Sequence, residues 1–121
     1  MRRCVVILLL CSVCMYGESI GSRSKKLLMA SFAAVTTAEI ADSASSWGKL
    51  EANPVLGQSR FGLGKATVKI GLVSAIVTAQ YVLLRHRGPS AYKAVAAINF
   101  AGAGALGAIA YRNTHIAPLP K

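Results

Sequence analysis

Residues 66–84 read ATVKIGLVSAIVTAQYVLL, nineteen residues whose only charge is Lys69, near the start. Wound as a helix at 1.5 Å per residue, such a run is about 28 Å long, close to the thickness of a bilayer's hydrocarbon core. In hydrocarbon every backbone amide must be satisfied within the segment, so a lone run of this kind folds as a helix. Two more runs accompany it. Residues 26–47 (KLLMASFAAVTTAEIADSASSW) are apolar at first and amphipathic later. Residues 91–111 (AYKAVAAINFAGAGALGAIAY) are rich in Ala and Gly. None shows sustained period-two alternation, which argues against a β-barrel. The expected fold is all-α: a small transmembrane helical bundle of about three helices after an N-terminal signal-like segment.

Composition agrees. Of 121 residues, 54% are hydrophobic and 15% charged, and mean hydropathy is +0.49. A soluble domain carries about 25% charged residues, so this chain has too few to cover a water-facing surface. The expected organisation is a signal peptide or anchor over 1–19, a membrane domain over 20–113 and an irregular tail over 114–121.

Fourteen Lys and Arg stand against four Asp and Glu, a formal net charge of +10. The cations flank the apolar runs and form no stripe interleaved with aromatics. That placement suits lipid headgroups and argues against nucleic acid. After removal of the first segment, Arg23, Lys25, Lys26, Arg85, Arg87 and Lys93 fall on one side of the membrane. Lys49, Arg60, Lys65, Lys69, Arg112 and Lys121 fall on the other. Six cations a side leave the positive-inside rule without a preference.

At the start, Met1-Arg2-Arg3 precedes a 13-residue apolar run, residues 4–16, broken only by Ser12. That is a signal-peptide pattern and short for a span. Gly17 and Ser19 suit cleavage before Ile20, and cleavage after Gly21 is the alternative; an uncleaved anchor is the other reading. Cys4, Cys11 and Cys14 all lie here, so a processed chain has no disulfide. Cys11-x-x-Cys14 has no His or acidic neighbour, which argues against redox or metal chemistry.

Residues 49–65 contain Pro54, Gly57, Gly62 and Gly64 and read as a loop, with a short interfacial turn around Val55-Leu56 and Phe61. Ala97, Ala101 and Ala105 recur every fourth residue, as do Ala103 and Gly107, a spacing that lets helix backbones approach in lipid. Tyr92 and Tyr111 suit an interfacial aromatic belt.

Ionisable groups within a span are costly, so each is a site hypothesis. Glu39, Asp42, Ser43 and Ser46 share one helix face, with Thr37, Ile40, Ala41 and Ala44 opposite. In a hairpin of the first two helices, Asp42 and Lys69 reach similar depth, roughly 6–9 Å from the loop, with Glu39 nearly one turn deeper. Two readings of Lys69 follow: an ion pair with Asp42, or snorkelling to the headgroups. Gln80 and Asn99 are placed to hydrogen-bond between the second and third helices. His86 and His115 flank the spans without metal-ligand spacing. The candidate polar site is Glu39, Asp42, Glu51, Asn53, Lys69 and Asn99; no cofactor is implied.

The run Asp42-Ser43-Ala44-Ser45-Ser46, followed by Glu51-Ala52-Asn53-Pro54, resembles a pattern in uncharacterised families of small bacterial membrane proteins. These have about three hydrophobic helices, an Asp with Ser or Thr late in the first, and a Glu-x-Asn-Pro loop after it. The likeness spans roughly residues 31–113. It implies an architecture and a bacterial inner-membrane location, and no activity.

No nucleophile elbow, phosphate loop or metal signature is present, so the expected protein is no enzyme. Its expected role is structural or accessory, with the lipid bilayer and a second copy or another membrane protein as partners. The alternative is an ion- or solute-handling component whose polar pathway includes Glu39, Asp42, Lys69 and Asn99. A third reading makes Asp42, Glu51 and Asn53 the acid–base or cation site of a membrane enzyme.

Overall fold

The computed structural model describes residues 20–51, 56–118 and 120. The signal-like segment, its three cysteines, and the candidate residue Asn53 lie outside the described residues.

Among the described residues there are three helices: α1 (Ile20–Ser46), α2 (Leu63–Leu84) and α3 (Pro89–Asn113). Among the described residues there is no strand, only an isolated antiparallel bridge between Leu50 and Arg60. The helices are 27, 22 and 25 residues long. At 1.5 Å per residue they measure about 40, 33 and 37 Å, and a bilayer core of about 30 Å is within reach of each. All three are apolar enough to cross a membrane. The described residues thus hold three candidate spans, and the chain reads as a membrane protein.

Each helix is longer than its apolar run predicts. α1 starts at Ile20 instead of residue 26, because residues 20–25 contain no proline to stop it and Gly21 costs only about 1 kcal/mol inside a helix. α2 starts at Leu63, where the extended Gly62 offers its carbonyl to the Ala66 amide at 3.0 Å. α3 starts on Pro89, whose fixed φ and missing N–H suit a first helical turn. It runs to Asn113, past the expected end at Tyr111. α1 ends at Ser46, and two residues on Gly48 turns the chain with φ +74, where a side chain would strain the backbone.

α1 runs from the end that holds the tight turn (residues 85–88) to the end that holds the loop (residues 47–62). α2 returns, and α3 runs parallel to α1. α1 packs along α3 and more narrowly on α2. Direct contact between α2 and α3 is sparse, although a four-residue turn joins them.

The interior is polar and the exterior apolar. Buried apolar residues are Leu28, Phe32, Phe61, Ala66, Ala96 and Ala110. Buried beside them are Ser24, Ser31, Glu39, Asp42, Ser43, Ser46, Glu51 and Asn99, while Leu63, Leu72, Leu83 and Ile98 face outward. In water that distribution is inverted; buried polar groups and large exposed apolar surface are the informative exceptions to the usual rule. In lipid it is favourable. Aliphatic side chains gain nothing by leaving hydrocarbon, so small residues and interhelical hydrogen bonds hold the bundle. The expected close-packing stripe of α3 does not serve the intramolecular contacts: Ala97, Ala101 and Ala105 are exposed, and Ala96, Asn99 and Ala110 face α1 and the core. A helix carrying small residues all round has more than one face suited to close approach.

Candidate functional site

The polar face of α1 turns inward. Glu39 is 5% exposed and Asp42 1%, whereas Ile40, on the opposite face, is 51% exposed. Ser43 and Ser46 are buried with the carboxylates. Their recurrence at i, i+3, i+4 and i+7 makes one stripe, and that stripe faces the loop end of the bundle interior.

Lys69, in the second turn of α2, reaches this stripe. Its Nζ donates to Asp42 Oδ2 at 2.6 Å and lies 3.9 Å from Glu51 Oε2. The pair is largely enclosed, so Lys69 is tethered inside and does not snorkel. Asn113, at the last turn of α3, donates from Nδ2 to Asp42 Oδ1 at 3.1 Å and to Ser46 Oγ at 2.9 Å. Both oxygens of Asp42 are thus engaged, one by α2 and one by α3. Lys49 Nζ donates to the backbone carbonyl of Asn113.

The loop closes over this cluster through a short antiparallel ladder. The Gly48 amide donates to the Phe61 carbonyl at 3.0 Å, Phe61 returns a bond to Lys49 at 2.7 Å, and Glu51 donates to Ser59 at 3.1 Å. Successive residues of an extended segment point to opposite sides, so Leu50 faces out and Glu51 faces in. Phe61 lies inside, 1% exposed, where an interfacial position is expected from sequence. Its ring centroid is 5.3 Å from Lys69 Nζ, within cation–π range, and Trp47 meets it edge-on at 6.4 Å. Lys65 Nζ donates to the carbonyls of Gly57 and Ser59 at 2.6 and 2.8 Å, pinning the loop to α2. The tail joins in, with Arg60 donating to the Pro120 carbonyl at 2.6 Å.

Glu39 sits one helical turn deeper than Ser43. Among the described residues, neither Glu39 Oε1 nor Ser43 Oγ has a hydrogen-bond partner. Three carboxylates, Glu39, Asp42 and Glu51, therefore share a mostly buried space with one ammonium. Among the described residues, no three His, Cys, Asp or Glu side chains are arranged to hold a metal ion.

Asn99 belongs to a second cluster, nearer the middle of the bundle. Its amide and that of Gln80 exchange bonds of 2.9 and 3.2 Å, and Asn99 Nδ2 also donates to Ser31 Oγ at 3.1 Å. Ser31 in turn donates to the Leu28 carbonyl at 2.7 Å. One asparagine thereby joins all three helices.

Of the candidate residues, then, Glu39, Asp42, Glu51 and Lys69 come together and Asn99 stands apart. The sequence reading missed Asn113, Phe61 and Ser31. Asn113 carried a usable signal: a polar amide at the end of a span that finishes on the same side as Asp42. Phe61 carried none, since nothing local distinguishes a loop aromatic that turns inward from one that meets the headgroups. His115 stays exposed, its ring stacked edge-on against Tyr111 at 4.9 Å, and His86 is exposed.

No family model matches the chain, and comparison with curated proteins and with solved structures gave no match.

Proposed function

We propose that this chain is a small integral membrane protein of structural or accessory role, without enzymatic activity of its own. One observation carries the reading: Asp42 divides its two oxygens between Lys69 of α2 and Asn113 of α3. A carboxylate so committed acts as a clasp that fixes three helix ends and the loop. In the most apolar stretch of α2 no residue is buried within the chain. That helix is accordingly available to lipid, to a second copy or to another membrane protein. We place the protein in the bacterial inner membrane, with residues 1–19 as its signal or anchor. Mass spectrometry of the purified chain tests the last point: a mature form lacking its cysteines supports cleavage near Ser19 or Gly21, and an intact Met1 supports an anchor.

A second reading, ion handling, is favoured by Glu39 and Ser43, whose unpartnered oxygens sit beside an excess of carboxylates. Intramembrane carboxylates of this kind serve proton and cation relays elsewhere. Proteoliposomes separate the two readings. Under an imposed pH or sodium gradient, the accessory role predicts flux no greater than in empty vesicles. Flux abolished by Glu39→Gln in a normally folded protein would overturn it in favour of ion handling.

A further inference from the structure

The end of the bundle opposite the carboxylates has its own chemistry. It gathers Arg23, Lys25 and Lys26 from α1, Arg85 and Arg87 from the turn, and Lys93 from α3. Among the described residues it holds no acid: Glu39, Asp42 and Glu51 all lie in the half of the bundle toward the loop. None of the three helices has an acidic residue in its first turn, and α3 begins here without a side-chain cap. The positive end of its dipole adds to the cations.

Between the helices at this end lies a recess. Lys25 and Arg85 stand at it, Tyr81 and Tyr92 flank it, and Leu28 and Leu84 give it apolar walls. Among the described residues, the side-chain polar atoms of Lys25, Arg85, Tyr81 and Tyr92 make no hydrogen bond or ion pair within the chain. At the loop end, Lys49, Arg60, Lys65 and Lys69 are instead engaged by carbonyls or carboxylates.

We propose that this recess binds the phosphate of an anionic phospholipid. A guanidinium presents a planar fork that matches two phosphate oxygens, and an ammonium adds a point charge beside it. Tyrosine is at home where one end is apolar and the other wet. The recess, about 30 Å³, takes only part of a headgroup, and the outward-facing Val82 and Leu83 of the same helix end give an acyl chain somewhere to lie, a feature that a site for free phosphate does not need. The net charge of the surroundings selects the headgroup, because the cation of a zwitterionic lipid is repelled where the phosphate is drawn in.

Native mass spectrometry of the full chain, released from detergent with phosphatidylglycerol or phosphatidylcholine, tests the assignment. The expected result is retention of phosphatidylglycerol over phosphatidylcholine. Each cation near an anionic headgroup is worth roughly fivefold in affinity, so Lys25→Gln with Arg85→Gln is expected to weaken retention roughly thirtyfold. Arg112→Gln, at the opposite end, is expected to leave it unchanged. The charge-preserving pair Lys25→Arg and Arg85→Lys is expected to keep the headgroup preference. Equal retention of the two lipids, or retention indifferent to the double substitution, overturns the proposal. Displacement of the lipid by millimolar inorganic phosphate would identify a site for free anions and overturn it as well. Should the double variant fail to fold, the preference of the unaltered chain and of Lys25→Gln alone decides.

Discussion

Asp42 and Lys69 are 27 positions apart in the chain and 2.6 Å apart in space. Only the end of α1, the loop and the first residues of α2 intervene, and each residue stands a few positions from its own helix end, at matching depth from the loop. A charge left alone in a low-dielectric interior is penalised far more than a pair. The pair therefore helps to fix the rotation of α2 about its own axis, together with the Gln80–Asn99 bonds.

Breaking the pair from one side is expected to be worse than removing it. Lys69→Met strands Asp42 beside Glu39 and Glu51, at a cost of roughly 3–5 kcal/mol. Adding Asn for Asp at position 42 is expected to restore part of that stability, because the stranded charge is gone. Thermal unfolding in detergent reads the cycle, and additive losses would show that the two side chains do not interact.

Asn113 offers a test that separates shape from charge. Asn113→Ala removes two hydrogen bonds, to Asp42 and Ser46. Bonds of this kind in membrane proteins are worth about 0.6 to 2 kcal/mol each. Asn113→Asp is nearly isosteric but sets a carboxylate against Asp42 Oδ1. It is expected to lower the unfolding temperature further than the alanine variant, and the reverse order would remove Asn113 from the cluster.

At the middle of the bundle, Asn99→Leu is expected to cost more than Gln80→Leu. The first severs both α1 and α2 from α3, while the second leaves Asn99 bonded to Ser31. With each bond worth about 0.6 to 2 kcal/mol, the difference lies within reach of SDS-induced unfolding. Equal losses would show that the bond to Ser31 contributes nothing.

Gly48 is expected to resist substitution for a backbone reason alone. Its φ is +74, and an added Cβ would meet only Pro118 Cβ at an ordinary 3.8 Å. Gly48→Ala is expected to cost roughly 1–2 kcal/mol, the penalty of the left-handed region. Gly104 lies within α3 with nothing near its missing Cβ, so Gly104→Ala is expected to be neutral or stabilising by up to about 1 kcal/mol. Denaturation in a common detergent compares the two.

Membrane integration has a simple check. Alkaline carbonate washing is expected to leave the chain in the membrane pellet, since each of the three helices can cross a bilayer. Recovery in the supernatant would contradict membrane integration.

The three described helices, their transmembrane character and the gathering of Glu39, Asp42, Ser43 and Ser46 on one helix face were legible in the sequence; that this face turns inward was not. They follow from local terms: run length against bilayer thickness, and a 3.6-residue period that gathers four polar side chains on one face. The choice open to Lys69 was legible too, since its depth follows from counting residues from the loop. Other features were decided only by tertiary structure. Helix rotation determined that Lys69 turns to Asp42, that Asn99 meets Ser31 as well as Gln80, and that Ala97 and Ala101 face outward. Phe61 and Asn113 entered the cluster because the loop folds back as a ladder and α3 runs two residues past its apolar run. Such contacts join residues up to 71 positions apart. No local preference encodes them, because in lipid each helix is stable on its own and only side-chain contacts between helices choose among their possible rotations.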